Sequence, residues 1–195
     1  MLIPLQTKFR GNTLFHSFAE LSFFNSVVYL GEDFYGCLGL SYLIIPEQVY
    51  SIGGGAFRNN PTMRSMHIKG CITSLGQNSW TNNNMELIEF CNTGEMQFTT
   101  NPTQSDSASN MVFRYIHGSS NNIITANNPC KVVLHSLMPP LLTGRYHFYS
   151  TYYYAIYVPD AAIDTYKAAA KWSSYASHIF PLSEYPNPQE LLGEV

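Results

Sequence analysis

Six histidines (His16, His67, His117, His135, His147 and His178) and four cysteines (Cys37, Cys71, Cys91 and Cys130) are the side chains of this sequence best suited to metal binding or nucleophilic chemistry. Their spacing favours neither. A zinc site is commonly built from closely spaced donors, such as C-x-x-C or an H-x-x-x-H pair on one helix face, and no such pair is present. A Cys and a His could still meet from distant positions, but none of the four cysteines lies in a nucleophile motif. Gly53-Gly54-Gly55 matches a phosphate loop only in its glycines, because the Lys and Ser or Thr that would hold the phosphates do not follow. There is no G-x-S-x-G elbow and no dinucleotide fingerprint. The expectation is a non-enzymatic chain with no catalytic residues, no metal ligands and no cofactor, whose cysteines are buried free thiols.

Composition bounds what surrounds these residues. Of 195 residues, 45% are hydrophobic and 14% aromatic, enough for one sizeable core in one domain. Only 12% are Asp, Glu, Lys or Arg, about half the usual share, so the surface must be polar mainly through uncharged groups. A formal net charge of -3 with no basic run leaves nothing to neutralise phosphates, and no nucleic-acid partner is expected. No stretch reaches the roughly eighteen apolar residues of a membrane span, and Met1 to Asn12 lacks the apolar core of a secretory signal. Membrane insertion is not expected.

The elements that position these side chains come from a repeat. Leu30-Gly31…Phe34…Cys37…Leu40…Leu43-Ile44-Ile45-Pro46 recurs as Ile52-Gly53…Phe57…Asn60…Met63…Met66-His67-Ile68. It returns as Leu75-Gly76…Trp80…Asn83…Met85…Ile88-Glu89-Phe90, most equivalent positions lying 22 or 23 residues apart. Each unit ends in an alternating run that reads as one short strand. One unit cannot hide its apolar face; stacked copies bury Phe34, Phe57 and Trp80 in a row and pair their strands in parallel, which predicts a solenoid. Cys37, Asn60 and Asn83 share a position where a small side chain can hydrogen-bond the turn backbone. Gly31, Gly53 and Gly76 fall where the chain must turn sharply. After Phe90 the period loosens, and Thr99 to Asn110 reads as a polar inserted loop. Further strands are expected near Val112 to Ile116, at Lys131 to Leu134 and at Ala155 to Val158.

An open solenoid exposes apolar faces and strand edges at both ends, so it needs caps. Ser17-Phe18-Ala19-Glu20 has capping-box spacing and predicts a short helix carrying Phe18, Leu21 and Phe24 onto the first repeat. Asp160 predicts the N-cap of a helix running to about Lys171, with Ala162, Ile163, Tyr166, Ala169 and Ala170 as its apolar stripe. Trp172, Tyr175, Ile179 and Phe180 would complete that cap, leaving a peripheral tail beyond Pro181. The chain then divides into an N-terminal cap (1–29), regular repeats (30–93), an irregular repeat with the polar loop (94–129), last repeats (130–159), and a C-terminal capping helix with its tail (160–195).

Three segments carry a family likeness: YLIIPEQVYSIGGGAF at 42–57, MPP at 138–140, and IYVPDAAIDTYKAAAKWSSYASHIFPL at 156–182. The chain resembles, over most of its length, the BspA-like class of leucine-rich-repeat proteins, found on bacterial surfaces and in some related parasite and phage genomes. The first segment is similar to that class's strand, Pro, turn and Ile-Gly-x-x-Ala-Phe core, and the last to the module that commonly closes such arrays. The paired proline sits where such proteins often carry one before the last repeat. The resemblance implies an α/β-type solenoid, a short irregular leucine-rich-repeat array with a parallel sheet and helical caps at both ends. It also implies adhesion or recognition at a bacterial surface; the alternative is a structural component of a phage particle that uses the same fold for assembly or host contact. These motifs specify the fold and not the ligand.

Strand alternation then predicts the binding face. With Leu43, Ile45, Met66, Ile68, Ile88 and Phe90 inward, Tyr42, Ile44, Ser65, His67, Leu87 and Glu89 point out, joined by Lys131, Val133 and Tyr157. An apolar and aromatic face with a few charges suits a protein or glycan partner, or contact with a second copy. A second candidate is the run Tyr146, Tyr149, Tyr152, Tyr153, Tyr154 and Tyr157, since Tyr gives large contact area at low entropic cost.

Overall fold

A computed structural model describes residues 9–12, 17–18, 27–76, 80, 83–98, 130–142 and 154–193. Among them are twelve strands: β1 (Ser17–Phe18), β2 (Tyr29–Leu30), β3 (Tyr42–Ile45), β4 (Ser51–Ile52), β5 (Ser65–Ile68), β6 (Ser74–Leu75), β7 (Leu87–Phe90), β8 (Gln97–Phe98), β9 (Cys130–Leu134), β10 (Leu141–Leu142), β11 (Tyr154–Val158) and β12 (Ile179–Pro181). One α-helix, α1 (Ile163–Ala168), is present among the same residues.

The repeat period fixes the pairing. Tyr42 lies opposite Ser65 and Ser65 opposite Leu87, so each unit contributes one strand to a parallel sheet of order β1-β3-β5-β7-β9-β11-β12. The turns between repeats add a three-stranded sheet, β2-β4-β6, and the pair β10-β8. Leu43, Met66, Ile88, Val132 and Ile156 from the main sheet, and Leu30, Ile52, Leu75, Phe98 and Leu142 from the small ones, share one buried cluster. Phe34 stacks on Phe57 at 5.7 Å and Phe57 on Trp80 at 6.3 Å between ring centroids. Trp80 donates its indole N–H to the Met66 sulfur at 3.3 Å.

The shared Cys37, Asn60 and Asn83 position forms a hydrogen-bonded ladder. Asn60 Nδ2 donates to the carbonyls of Phe34 (2.8 Å) and Phe57 (2.9 Å), and Asn83 Oδ1 accepts the Asn60 amide at 2.8 Å. The Cys37 thiol donates to the Phe9 carbonyl at 3.0 Å, and burial raises its pKa. The glycines have a different reason from the expected one. Gly31, Gly53 and Gly76 do not adopt positive φ; a Cβ on Gly76 would instead run into the backbone of Gly53 and Gly54, one repeat earlier. Close stacking of successive turns demands glycine there.

The ends depart from expectation. Ser17 and Phe18 form β1, paired with Tyr42 and Leu43, so the capping-box helix is not formed at these residues; Leu21 and Phe24 lie outside the described residues. Phe9 stacks on Phe34 at 5.4 Å, extending the aromatic row toward the N-terminus. A strand that pairs with the next repeat overrides a local capping signal of about 1 kcal/mol.

At the other end, a 3-10 turn (Asp160–Ala162) leads into α1, which stops at Ala168 rather than near Lys171. Asp160 does not cap it; its carboxylate accepts the Ser183 amide at 3.0 Å. The helix is short because Tyr166 and Trp172 both reach inward, donating to the carbonyls of Ser136 (2.9 Å) and Pro140 (2.8 Å). Six residues span about 1.7 helical turns, so a continuous helix would aim these side chains in different directions. Lys171 at φ 66° makes the reversal, and Ala170, assigned to the apolar stripe, is exposed. Ile179 and Phe180 belong to β12, the last strand of the main sheet, rather than to a helical cap. The 94–129 division is described only to Phe98; the expected loop at 99–110 and strand at 112–116 lie outside the described residues.

Candidate functional site

On the side of the main sheet turned from the core, register lines up two rows. One row is Tyr42, Ser65, Leu87, Lys131 and Ala155; the other is Ile44, His67, Glu89, Val133, Tyr157 and Phe180. The nine residues singled out by alternation all belong to these rows. The structure divides them. Tyr42, Ile44 and Ser65 remain half-exposed, whereas Leu87, Val133, His67 and Glu89 are buried. The cover is the C-terminal segment 182–193, which corrects its expected peripheral placement.

This strap makes a second apolar cluster. Leu182 and Tyr185 pack with Leu87 and Val133, with Tyr157 and Leu191 at the margin. The Tyr185 ring meets Tyr157 edge-on at 5.0 Å, and Lys131 Nζ lies 5.3 Å from its centroid. Its OH donates to Glu190 Oε2 at 3.1 Å, and burial pushes its pKa well up.

At the centre lies Glu89, with 0% exposure. His67 Nδ1 contacts Glu89 Oε2 and His135 Nε2 contacts Oε1 at 2.7 Å. The backbone N–H of Leu192 donates to both carboxylate oxygens (3.1 and 3.0 Å), and that of Gly193 to Oε1 at 2.9 Å. Burial alone would raise the carboxyl pKa; the hydrogen bonds from His135, His67 and the two amides outweigh it and hold Glu89 well below the usual carboxylate range. An ionised carboxylate only accepts, so His67 donates through Nδ1 and His135 through Nε2. Gly193 fits because of its size: a Cβ there would fall 2.5 Å from His135 Nε2.

Sequence spacing missed this constellation. His135 is 46 residues from Glu89, and the strap amides are 103 and 104 residues away. Alternation placed His67 and Glu89 side by side on the outer face, which was the available signal.

Among the described residues, two openings flank the strap. A groove of about 300 Å³ is lined by Tyr42, Arg64, Ser65, Glu86 and Glu190, with His67 and Leu87 at its floor. Arg64 Nε lies 3.4 Å from Glu86 Oε1, and the Tyr42 and His67 rings are 5.2 Å apart. Burial, then the Glu89 charge, raises the Tyr42 pKa. A larger cavity of about 750 Å³ at the strand ends brings together Cys91, His135, Leu137, Asp160 and Ser183. This is the Cys and His encounter that distant positions left open, but its chemistry is that of a thiol. Burial and the adjacent Glu89 carboxylate push Cys91 up to about 12, the opposite of an activated nucleophile. Cys130 is likewise pushed up to about 12 by burial, and all four cysteines are free.

Of the tyrosine run, Tyr146, Tyr149, Tyr152 and Tyr153 lie outside the described residues. Tyr154 is half-buried, stacked on His178 at 4.4 Å with its pKa pushed up to about 12 by burial. Tyr157 lies between Tyr185 and Phe180.

Residues 11–127 match the family described as a BspA type Leucine rich repeat region, in six copies. The chain belongs to the BspA-type leucine-rich-repeat family. No curated protein matches it. As a BspA-type chain it is a repeat-based module of a typically non-enzymatic family. Among its described residues no helix is long and apolar enough to cross a membrane.

Proposed function

We propose that this BspA-type chain is a non-enzymatic recognition module that binds a protein or glycan partner through the outer face of its main sheet. One observation carries the reading: the strap's cover stops short of the β3–β5 end of that face, where Tyr42, Ile44 and Ser65 remain half-exposed. Tyr42, Ile44 and Ser65 point outward there beside a groove of about 300 Å³ walled by Arg64, Glu86 and Glu190. A half-exposed aromatic flanked by hydrogen-bonding groups of both kinds is a common arrangement at protein interfaces.

Screening the chain against cell-surface proteins and glycans, then repeating the positive interaction with variants, tests this. Tyr42→Ala should weaken binding at least about tenfold and leave Tm nearly unchanged, the behaviour of an interface anchor. Tyr157→Ala should instead lower Tm, because its ring is packed beneath Tyr185 and Phe180. A Tyr42→Ala variant that binds as well as the parent chain removes the open end from the interface. Quantitative fractionation tests the setting: enrichment at a bacterial surface supports adhesion, while stoichiometric recovery in virus particles replaces it with a role in assembly.

A further inference from the structure

The face between β5 and β11 is already occupied, and the manner of its occupation points to a class of partner. The strap's own backbone hydrogen bonds are local turns, Tyr185 to Leu182, Glu190 to Asn187 and Leu191 to Pro188. Among the described residues its ties are Leu182 and Tyr185 in a cluster separate from the main core, the Tyr185 ring against Tyr157 and Lys131, the Ser183 N–H on Asp160, and two consecutive amides on Glu89. This is how a bound peptide with two tight turns is held in a groove, by side-chain pockets and a fixed backbone reader. Its apolar anchors lie in a cluster separate from the main core, the arrangement of a segment that opens independently of the repeat array.

We propose that this covered face is a peptide-binding surface, that residues 182–193 are its resident intramolecular occupant, and that a partner protein displaces them by presenting a segment of the same pattern with the same two turns. That pattern is an apolar residue, an aromatic three positions on, and, seven positions after the aromatic, an apolar-Gly pair whose N–H groups reach Glu89. The glycine is required because anything larger meets the His135 ring. Displacement exposes Leu87, Val133 and Tyr157 together with the Glu89 carboxylate. The proposal rests on the reading of the outer face as the recognition surface and adds its partner class and its gate. A tethered strap competes at an effective concentration of about millimolar, so the closed state lowers apparent affinity by the fraction of time the face is open.

The test uses the full chain and a fluorescent peptide of residues 182–193, LSEYPNPQELLG. Gly193→Leu, which sets a side chain against His135, should release the strap and bind the peptide at least about tenfold more tightly than the unsubstituted chain; a peptide with Tyr185→Ala should not bind. Hydrogen exchange on the unsubstituted chain should show amides 187–193 opening well before those of β5, β7 and β9. Equal peptide binding by both chains, or no binding to a released chain, overturns the proposal. So does exchange of strap and sheet only together, or failure of both Gly193→Leu and Tyr185→Ala chains to fold, since the strap is then part of the core. A partner that binds the unsubstituted and Gly193→Leu chains equally, through Tyr42, sinks the gate but leaves recognition standing. Peptide binding to the released chain with no partner for either leaves the reverse.

Discussion

Glu89 is a fully buried carboxylate whose folded pKa is held well below the usual range. Its isolated burial would be costly; four N–H donors convert it into the fastening point between sheet and strap. A carboxyl whose folded pKa is depressed contributes stability that is fully present above its ordinary value of 4.5 and drains away as pH falls toward the folded value. Glu89→Gln keeps the shape but turns an NH2 toward donors, leaving at least one unsatisfied, and should cost about 1–3 kcal/mol at neutral pH. Urea unfolding across a pH series should also show a shallower loss between about pH 5 and pH 3 than in the parent chain. An unchanged acid slope would show that other carboxyls govern the acid limb. The outward orientation of Glu89 was legible from strand alternation. Its burial was not, because the covering residues are more than a hundred positions away and alternation says nothing of what lies above a sheet.

At the level of the repeat, legibility follows whether a residue's role is set by its neighbours one period away. The strands β3, β5 and β7, the aromatic row, and the Cys37, Asn60 and Asn83 position are all such cases, and their equivalence could be read directly from spacing. The ladder makes a testable claim about that position. Asn60→Ala strips one donor group from two buried carbonyls, those of Phe34 and Phe57, and should cost about 1–3 kcal/mol. Asn60→Cys should lose less, since Cys37 serves the same position through a thiol; denaturant titration of the two variants ranks them, and equal losses would reduce the position to mere size. Where a segment was judged by a local signal alone, the reading failed. The spacing from Ser17 to Glu20 is a capping box, but Ser17 and Phe18 are drawn into pairing with β3. The alanine-rich stretch after Asp160 has helical propensity throughout, but the need to bury both Tyr166 and Trp172 breaks the helix at Ala168.

For the molecule as a whole, the question is whether its repeats behave as separable units or as one. Repeat arrays are held by nearest-neighbour interfaces and can lose cooperativity when a weak interface interrupts the stack. Here the buried cluster runs without a break from Val27 to Ile179, joining the first described repeats to β12 and α1. The polar stretch after Phe98, which reads as a break in the period, does not interrupt the sheet, because β9 pairs directly with β7 across it. The two tryptophans stand at useful places, Trp80 in the aromatic row of the repeats and Trp172 beside α1. Fluorescence of Trp172→Phe and Trp80→Phe chains therefore reports the middle and the end of the array separately. Once each variant's own stability is matched by far-UV circular dichroism, the fluorescence and backbone transitions should coincide in both. A Trp172 transition that precedes the backbone transition would mean that β9 does not transmit stability from β7 to the C-terminal end. The α1 end would then fold as a dependent appendage, and a strap anchored on β7 and β9 would bridge two units instead of covering one.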